Sequence, residues 1–214
     1  YVEIQKIGFT KLLDDALAKG ITMVADGYTF EQDLQAWQEL KQEDFDQHVV
    51  LYLKGNLGTA ELTPIETLES WWSSYDLPGY KAVKLGMGGA LESISEMLID
   101  GYAETDVEPK DAMPPGADDD APTGKNARPV IPAEQFANYM RQLDDAGFQV
   151  MVHAIGDGTI RATLDGFEAA IKAKGNNRLR HHIDHCSLFH PDDFQRFVDL
   201  DVSCTIWPPL NAPV

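Results

Sequence analysis

Two histidines stand at the ends of apolar runs that lie about one strand–helix unit apart. His153 follows Phe148-Gln-Val-Met-Val152 and is succeeded at once by Ala154-Ile-Gly-Asp157. His185 ends the run Leu179-Arg-His-His-Ile-Asp184. A neutral imidazole nitrogen is a good ligand for zinc and similar divalent metals. Parallel α/β barrels present such ligands at the carboxyl ends of their strands, so His153 and His185 are candidate metal ligands. Gly156 allows an unusual turn, and Asp157 after it can either hold an imidazole or cap the next helix. A metal-free use of the same residues pairs His153 with Asp157 as acid and base.

Lys84 is the third candidate. It lies near the end of the apolar stretch Tyr80-Lys-Ala-Val-Lys-Leu85, where an uncompensated ammonium is costly. Two solutions are open. One is an anionic partner such as Asp26, and the other is conversion by carbon dioxide to a carbamate that bridges metals. Strand alternation puts His185, Ile183 and His181 on the inward face and Asp184 and His182 toward the helices. His48 and His190 have no companions and read as strand-start and helix-cap residues.

These side chains need a frame, and the hydrophobic periodicity supplies one. Helical spacing covers 9–19, 29–43, 63–75, 132–146, 159–174 and 191–199, with a short helical turn at 93–99. Strand-like runs cover 21–26, 48–53, 80–85, the two histidine segments, and 202–207. Alternation of strand and helix predicts a parallel sheet with crossover helices. Six strands fit either an open doubly wound sheet or an incomplete barrel of the (β/α)8 type, which closes with eight. The stretch 103–128 holds Pro109, Pro114, Pro115, Pro122 and the run Asp118-Asp-Asp120, and reads as an exposed acidic insertion. Gly86-Met-Gly-Gly89 lacks the lysine of a phosphate-binding loop and reads as a turn where backbone approaches a ligand.

Composition narrows the class. The chain has 214 residues, a net charge of -18, 43% hydrophobic and 24% charged residues. That is ordinary globular protein. Such acidity disfavours nucleic acid as a partner, and no apolar run approaches the roughly 18 residues of a membrane span. Cys186 and Cys204 give no disulfide framework, which suits a cytoplasmic setting. No Gly-x-Ser-x-Gly elbow is present, so a serine triad has no support.

Several strings taken together resemble the amidohydrolase superfamily. They are His-Ala-Ile-Gly-Asp at 153–157, His182-Ile-Asp-His185 followed by Cys-Ser-Leu188 and Pro191-Asp-Asp193, Val83-Lys-Leu85 before a glycine turn, and Gly20-Ile-Thr-Met-Val-Ala-Asp26. They are most similar to the branch that holds the YtcJ-like proteins and N-substituted formamide deformylase. The resemblance implies a distorted (β/α)8 TIM-barrel-type fold of which residues 1–214 would supply about strand 2 to strand 7. It also implies one or two divalent metals, often zinc. By position, Lys84 would be the carbamylated ligand of strand 4, His153 the ligand of strand 5 and His185 that of strand 6. Four departures accompany it. No His-x-His precedes Ile21, the strand-8 aspartate would fall beyond Val214, Gly88-Gly89 stands where the branch has Asp-Gly, and Asp184 stands where it more often has Glu.

The expectation is therefore metal-assisted hydrolysis of an amide or related carbon–nitrogen bond in a small molecule. The present piece would be inactive alone and would associate with itself or with missing parts of the same polypeptide. The rival from another class is a binding or assembly module that keeps the fold without the chemistry.

Overall fold

In α4 (Ala133–Asp145), apolar side chains recur at the spacing that lines one face of a helix: Phe136, Tyr139, Met140 and Leu143 are all buried. The same logic places Leu34, Trp37 and Leu40 inward on α2 (Glu31–Glu43). It also buries Ile160, Leu164, Phe167 and Ile171 on α5 (Asp157–Lys174). A computed structural model describes residues 1–43, 48–102 and 127–206. The remaining elements are α1 (Val2–Leu17), β1 (Met23–Thr29), β2 (His48–Lys54), α3 (Ile65–Ser74), β3 (Ala82–Gly86), β4 (Gln149–Ala154), β5 (His182–His185), α6 (Phe194–Asp199) and β6 (Ser203–Cys204). The acidic stretch 103–128 falls almost wholly outside the described residues, as does the end of the 202–207 run.

The six strands pair in chain order, every neighbour parallel. They curl into a half barrel with helices between them, an incomplete TIM-barrel-like α/β fold. This decides between the two architectures left open by periodicity. A doubly wound sheet reverses its strand order at a switch point, and this one does not.

Alternation sorts the strand residues into two layers. Leu51, Leu53, Val83, Leu85, Val150, Val152 and Ile183 join the helices in the main core. Val50, Tyr52, Ala82 and Met151 form a second, smaller cluster on the concave face. Across the sheet, Lys84 shares the parity of Ala82, His153 that of Met151, and Asp184 that of His182. The concave face thus carries the polar side chains toward the carboxyl ends of β3, β4 and β5.

Element ends differ from the expected ones in telling ways. α1 begins at Val2 rather than Phe9 and lays Phe9 on Trp37 of α2, ring centroids 4.3 Å apart. Ile4 and Ile7 on the same helix stay 74% and 70% exposed. Residues 93–99 are not helical; a turn ends at Ile94, whose φ is +52°.

Candidate metal and catalytic site

The register of the sheet assembles the site. β3 pairs with β4 so that Lys84 lies opposite Met151 and Gly86 opposite His153. β4 pairs with β5 so that His153 lies opposite Asp184 and Ala154 opposite His185. Lys84, His153 and Asp184 therefore share the concave face near the rim, His153 and Asp184 at one level and Lys84 one step below it. The Lys84 ammonium ion-pairs with the Asp184 carboxylate, with side chains 4% and 23% exposed. This is the anionic partner that Lys84 requires, and it is Asp184 rather than Asp26. Asp26 instead accepts from the Thr29 hydroxyl at 3.0 Å.

His153 and His185 meet edge to face, ring centroids 4.5 Å apart and planes at 69°. The alternation that was expected to bring them together is reversed in β5. His182 and Asp184 face the concave side, where His182 sits edge-on to Tyr52, and Ile183 packs into the helix-side core. His185 reaches the rim by another route. Its φ is +78° and that of Cys186 is +37°, a backbone region that side chains rarely adopt. This twist at the strand exit swings the ring onto His153. The His185 amide donates to Asp184 Oδ1 at 3.1 Å and to Thr205 Oγ1 at 3.3 Å, and the Thr205 hydroxyl itself donates to Asp184. His181 is fully buried on the helix side. Its Nδ1 accepts from the Val150 amide at 3.1 Å, and its Nε2 lies 3.1 Å from Asp144.

Charge follows from this packing. Burial pushes both His153 and His185 below the ordinary imidazole value, and the Lys84 charge acts in the same direction. Both rings are thus neutral at neutral pH, the form that binds metal. Burial alone would raise Asp184, but the Lys84 ammonium and the Thr205 hydroxyl hold it down at about 2. Burial lowers Lys84 against the pull of Asp184. His153 Nε2 lies 2.7 Å from the Gly89 carbonyl, which can only accept. The proton therefore belongs on Nε2, and the lone pair on Nδ1 remains for a ligand.

Asp157 opens α5 and does not meet the two rings through any described hydrogen bond. Its Oδ1 accepts the amides of Gly158 at 2.8 Å and of Ile99 at 2.9 Å. Of the two roles considered for it, this geometry is that of the helix end. His190 caps the turn before α6 by accepting from the Asp192 amide at 3.2 Å. Sequence reasoning missed Glu96, a fully buried acid beside the turn at Gly88. The glycine density at 86–89 and again at 156–158 was its signal, because close backbone approach needs something to approach.

The donor set fits a divalent metal in type: two neutral imidazoles and an ionised carboxylate. It falls short in number, since among the described residues no three His, Cys, Asp or Glu side chains stand in ligating geometry. Also among the described residues, no helix is long and apolar enough to cross a membrane.

Comparison with known proteins bears on the family and the fold. Residues 5–212 match the pattern shared by the family described as "Amidohydrolase family". Protein LONG AFTER FAR-RED 3 of Arabidopsis thaliana is 27% identical over 209 residues, covering 90% of this chain and 32% of the relative. Exoenzymes regulatory protein AepA of Pectobacterium carotovorum subsp. carotovorum is 36% identical over 76 residues, covering 36% of this chain and 16% of the relative. Two solved structures share the fold. They are uncharacterized metal-dependent hydrolases from Pyrococcus horikoshii OT3 and Pyrococcus furiosus, with TM-scores of 0.71 and 0.70. Each is 21% identical; 97% of this chain is covered, against 38% and 39% of theirs. The chain thus spans about a third of the length of its Arabidopsis relative.

Proposed function

Because the chain belongs to the amidohydrolase family, we propose that the complete protein is a metal-dependent hydrolase acting on an amide or other carbon–nitrogen bond of a small molecule. Within the family we place it in the YtcJ-like branch, on the strings quoted above. The observation that carries the reading is the convergence of His153 and His185 at one rim. Two neutral imidazoles from successive strands stand 4.5 Å apart above an ion-paired lysine and carboxylate.

In this reading His153, through Nδ1, and His185 hold a divalent cation, zinc being the first choice for imidazole donors. Such a cation lowers the pKa of water and polarises a carbonyl. The chain's own residues do the rest. Asp184 and Thr205 fix the strand exit that aims His185, and Gly89 fixes the tautomer of His153. Lys84 is the carbamylation candidate. Burial works against the Lys84 ammonium; on losing its proton to solvent, the amine would add carbon dioxide and release a second proton to become a carbamate. Together with the Asp184 carboxylate it would offer oxygen donors to a divalent cation, which would supply the positive charge that Lys84 gives up. Among the described residues the assembled donors do not amount to a full ligand set, so we propose that the 214-residue chain alone is inactive.

The test is metal content and amide hydrolysis by the complete protein against His153→Ala. Loss of bound zinc together with hydrolysis is expected. Unchanged metal and rate in the variant would remove the reading, and a complete parent protein that holds no metal and hydrolyses nothing would favour the binding-module alternative.

A further inference from the structure

Glu96 is 0% exposed, yet neither carboxyl oxygen closes a hydrogen bond of normal geometry. Burial pushes the acid up to about 7, although the Thr159 hydroxyl and the amides of Gly156, Met97 and Ile155 face it closely enough to pull the other way. A buried acid in so poor a setting is costly, and its surroundings show what it does.

A Cβ built on Gly88 would coincide with the Glu96 carboxyl, and one on Gly89 would coincide with Ser95. On the opposite side, a Cβ on Gly156 would fall 2.8 Å from Glu96 Cγ, and one on Gly158 would fall 2.8 Å from Met97 Cγ. The segment 95–98 is therefore wedged between the turn after β3 and the start of α5, and four glycines admit it. It is tied at both ends. Ser95 Oγ accepts the Ala90 amide at 3.1 Å, and Asp157 holds the Ile99 amide at 2.9 Å. The same turn presents the Gly89 carbonyl to His153, and the Met87 amide donates to the His153 carbonyl at 3.1 Å.

We propose that Glu96 is a positioning residue for His153: its carboxyl fills the volume that a side chain at residue 88 would take, wedges the Gly88–Gly89 turn, and so keeps the Gly89 carbonyl on Nε2 with Nδ1 turned to the site. This rests on the metal-site reading above. Position 88 and position 96 are then alternatives for one buried acid, and only one of them can carry a side chain there.

The experiment uses the complete protein, stripped of metal and titrated with zinc against a chromophoric chelator. It also uses nitrogen-15 spectra of histidine-labelled metal-free protein to read the His153 tautomer. Glu96→Ala is expected to weaken zinc about ten- to a hundred-fold and to mix the two tautomers. Glu96→Gln, which keeps the volume, is expected to stay close to the parent in both readouts. Gly88→Asp alone should clash, and the double variant Glu96→Ala/Gly88→Asp should regain zinc affinity and the single tautomer. A folded Glu96→Ala protein with parental affinity and tautomer overturns the proposal. If Glu96→Ala does not fold, a folded double variant that binds weakly with mixed tautomers overturns it instead. His153→Ala separates the two levels: if that variant keeps its zinc, the metal-site reading fails, whatever residue 96 does.

Discussion

Replacing Lys84 with Met tests how the concave face is held together. The perturbation removes the ammonium and keeps an unbranched side chain of similar length in a place only 4% exposed. Holding Asp184 at about 2 rather than 3.8 corresponds to ~2.5 kcal/mol in favour of the native state at neutral pH. Because 23% of the aspartate side chain remains open, solvent screening cuts that to ~1–2 kcal/mol. Without the ammonium, the burial cost of the carboxylate stands uncompensated. Stranding one member of a fully buried pair costs about 3–5 kcal/mol. Partial exposure of Asp184, and relief of the cost of burying Lys84, bring the expected loss to ~2 kcal/mol at pH 7.

The pH dependence gives the sharper check. In the parent the folded carboxyl lies below its unfolded value, so its contribution is present above pH 3.8 and is lost as pH falls through about 2. In Lys84→Met, burial raises the folded carboxyl from about 2 and the Thr205 hydroxyl is left to oppose it, so most of the contribution present above pH 3.8 is lost. The gap between the two proteins should be widest at pH 7 and should narrow on acidification. Urea midpoints of metal-free protein at neutral and acidic pH measure it. An equal gap at both ends, or a loss under about 0.5 kcal/mol at pH 7, would refute the argument that Lys84 holds Asp184.

Gly166 on α5 faces Phe136 on α4, and an added Cβ would collide with that ring. Gly166→Ala should therefore lower stability by ~1–2 kcal/mol despite a helix-propensity gain of about 1 kcal/mol; thermal denaturation reads the sign, and a stabilised variant would show that the α4–α5 contact yields easily. Among the described residues β1 and β6 have no further strand beside them, and Ile4 and Ile7 face solvent on α1. The isolated 214-residue chain should therefore self-associate. Ile4→Lys/Ile7→Lys should reduce the association seen by light scattering, and a monodisperse parent monomer would contradict the expectation.

The six strands, their parallel direction and the meeting of His153 with His185 could be read from the sequence, because buried runs, helical spacing and rim histidines are local signals; the strand order, which periodicity leaves open between a doubly wound sheet and a barrel, could not. The face each β5 residue takes was not legible. Counting alternation back from His185 treats it as part of the regular strand, whereas its backbone leaves the extended region. The single aliphatic residue, Ile183, was the better reference point, since the helix-side layer takes aliphatic side chains. The partner of Lys84 follows from the same correction. Once Asp184 faces inward, β4 sets it near Lys84 across the register. Glu96 escaped notice because nothing in its local sequence marks a buried acid; only the glycines opposite it do.

The left-handed exit at His185 and Cys186 separates where the second imidazole points from how the strand beneath it is registered. A change of residue at 186, or of the Thr205 hydroxyl that braces the bend, can re-aim that ring while the barrel wall stays put. The bite of the histidine pair can therefore be tuned through two small side chains, Thr205 at the bend and Cys186 at the edge of the core, without moving a strand.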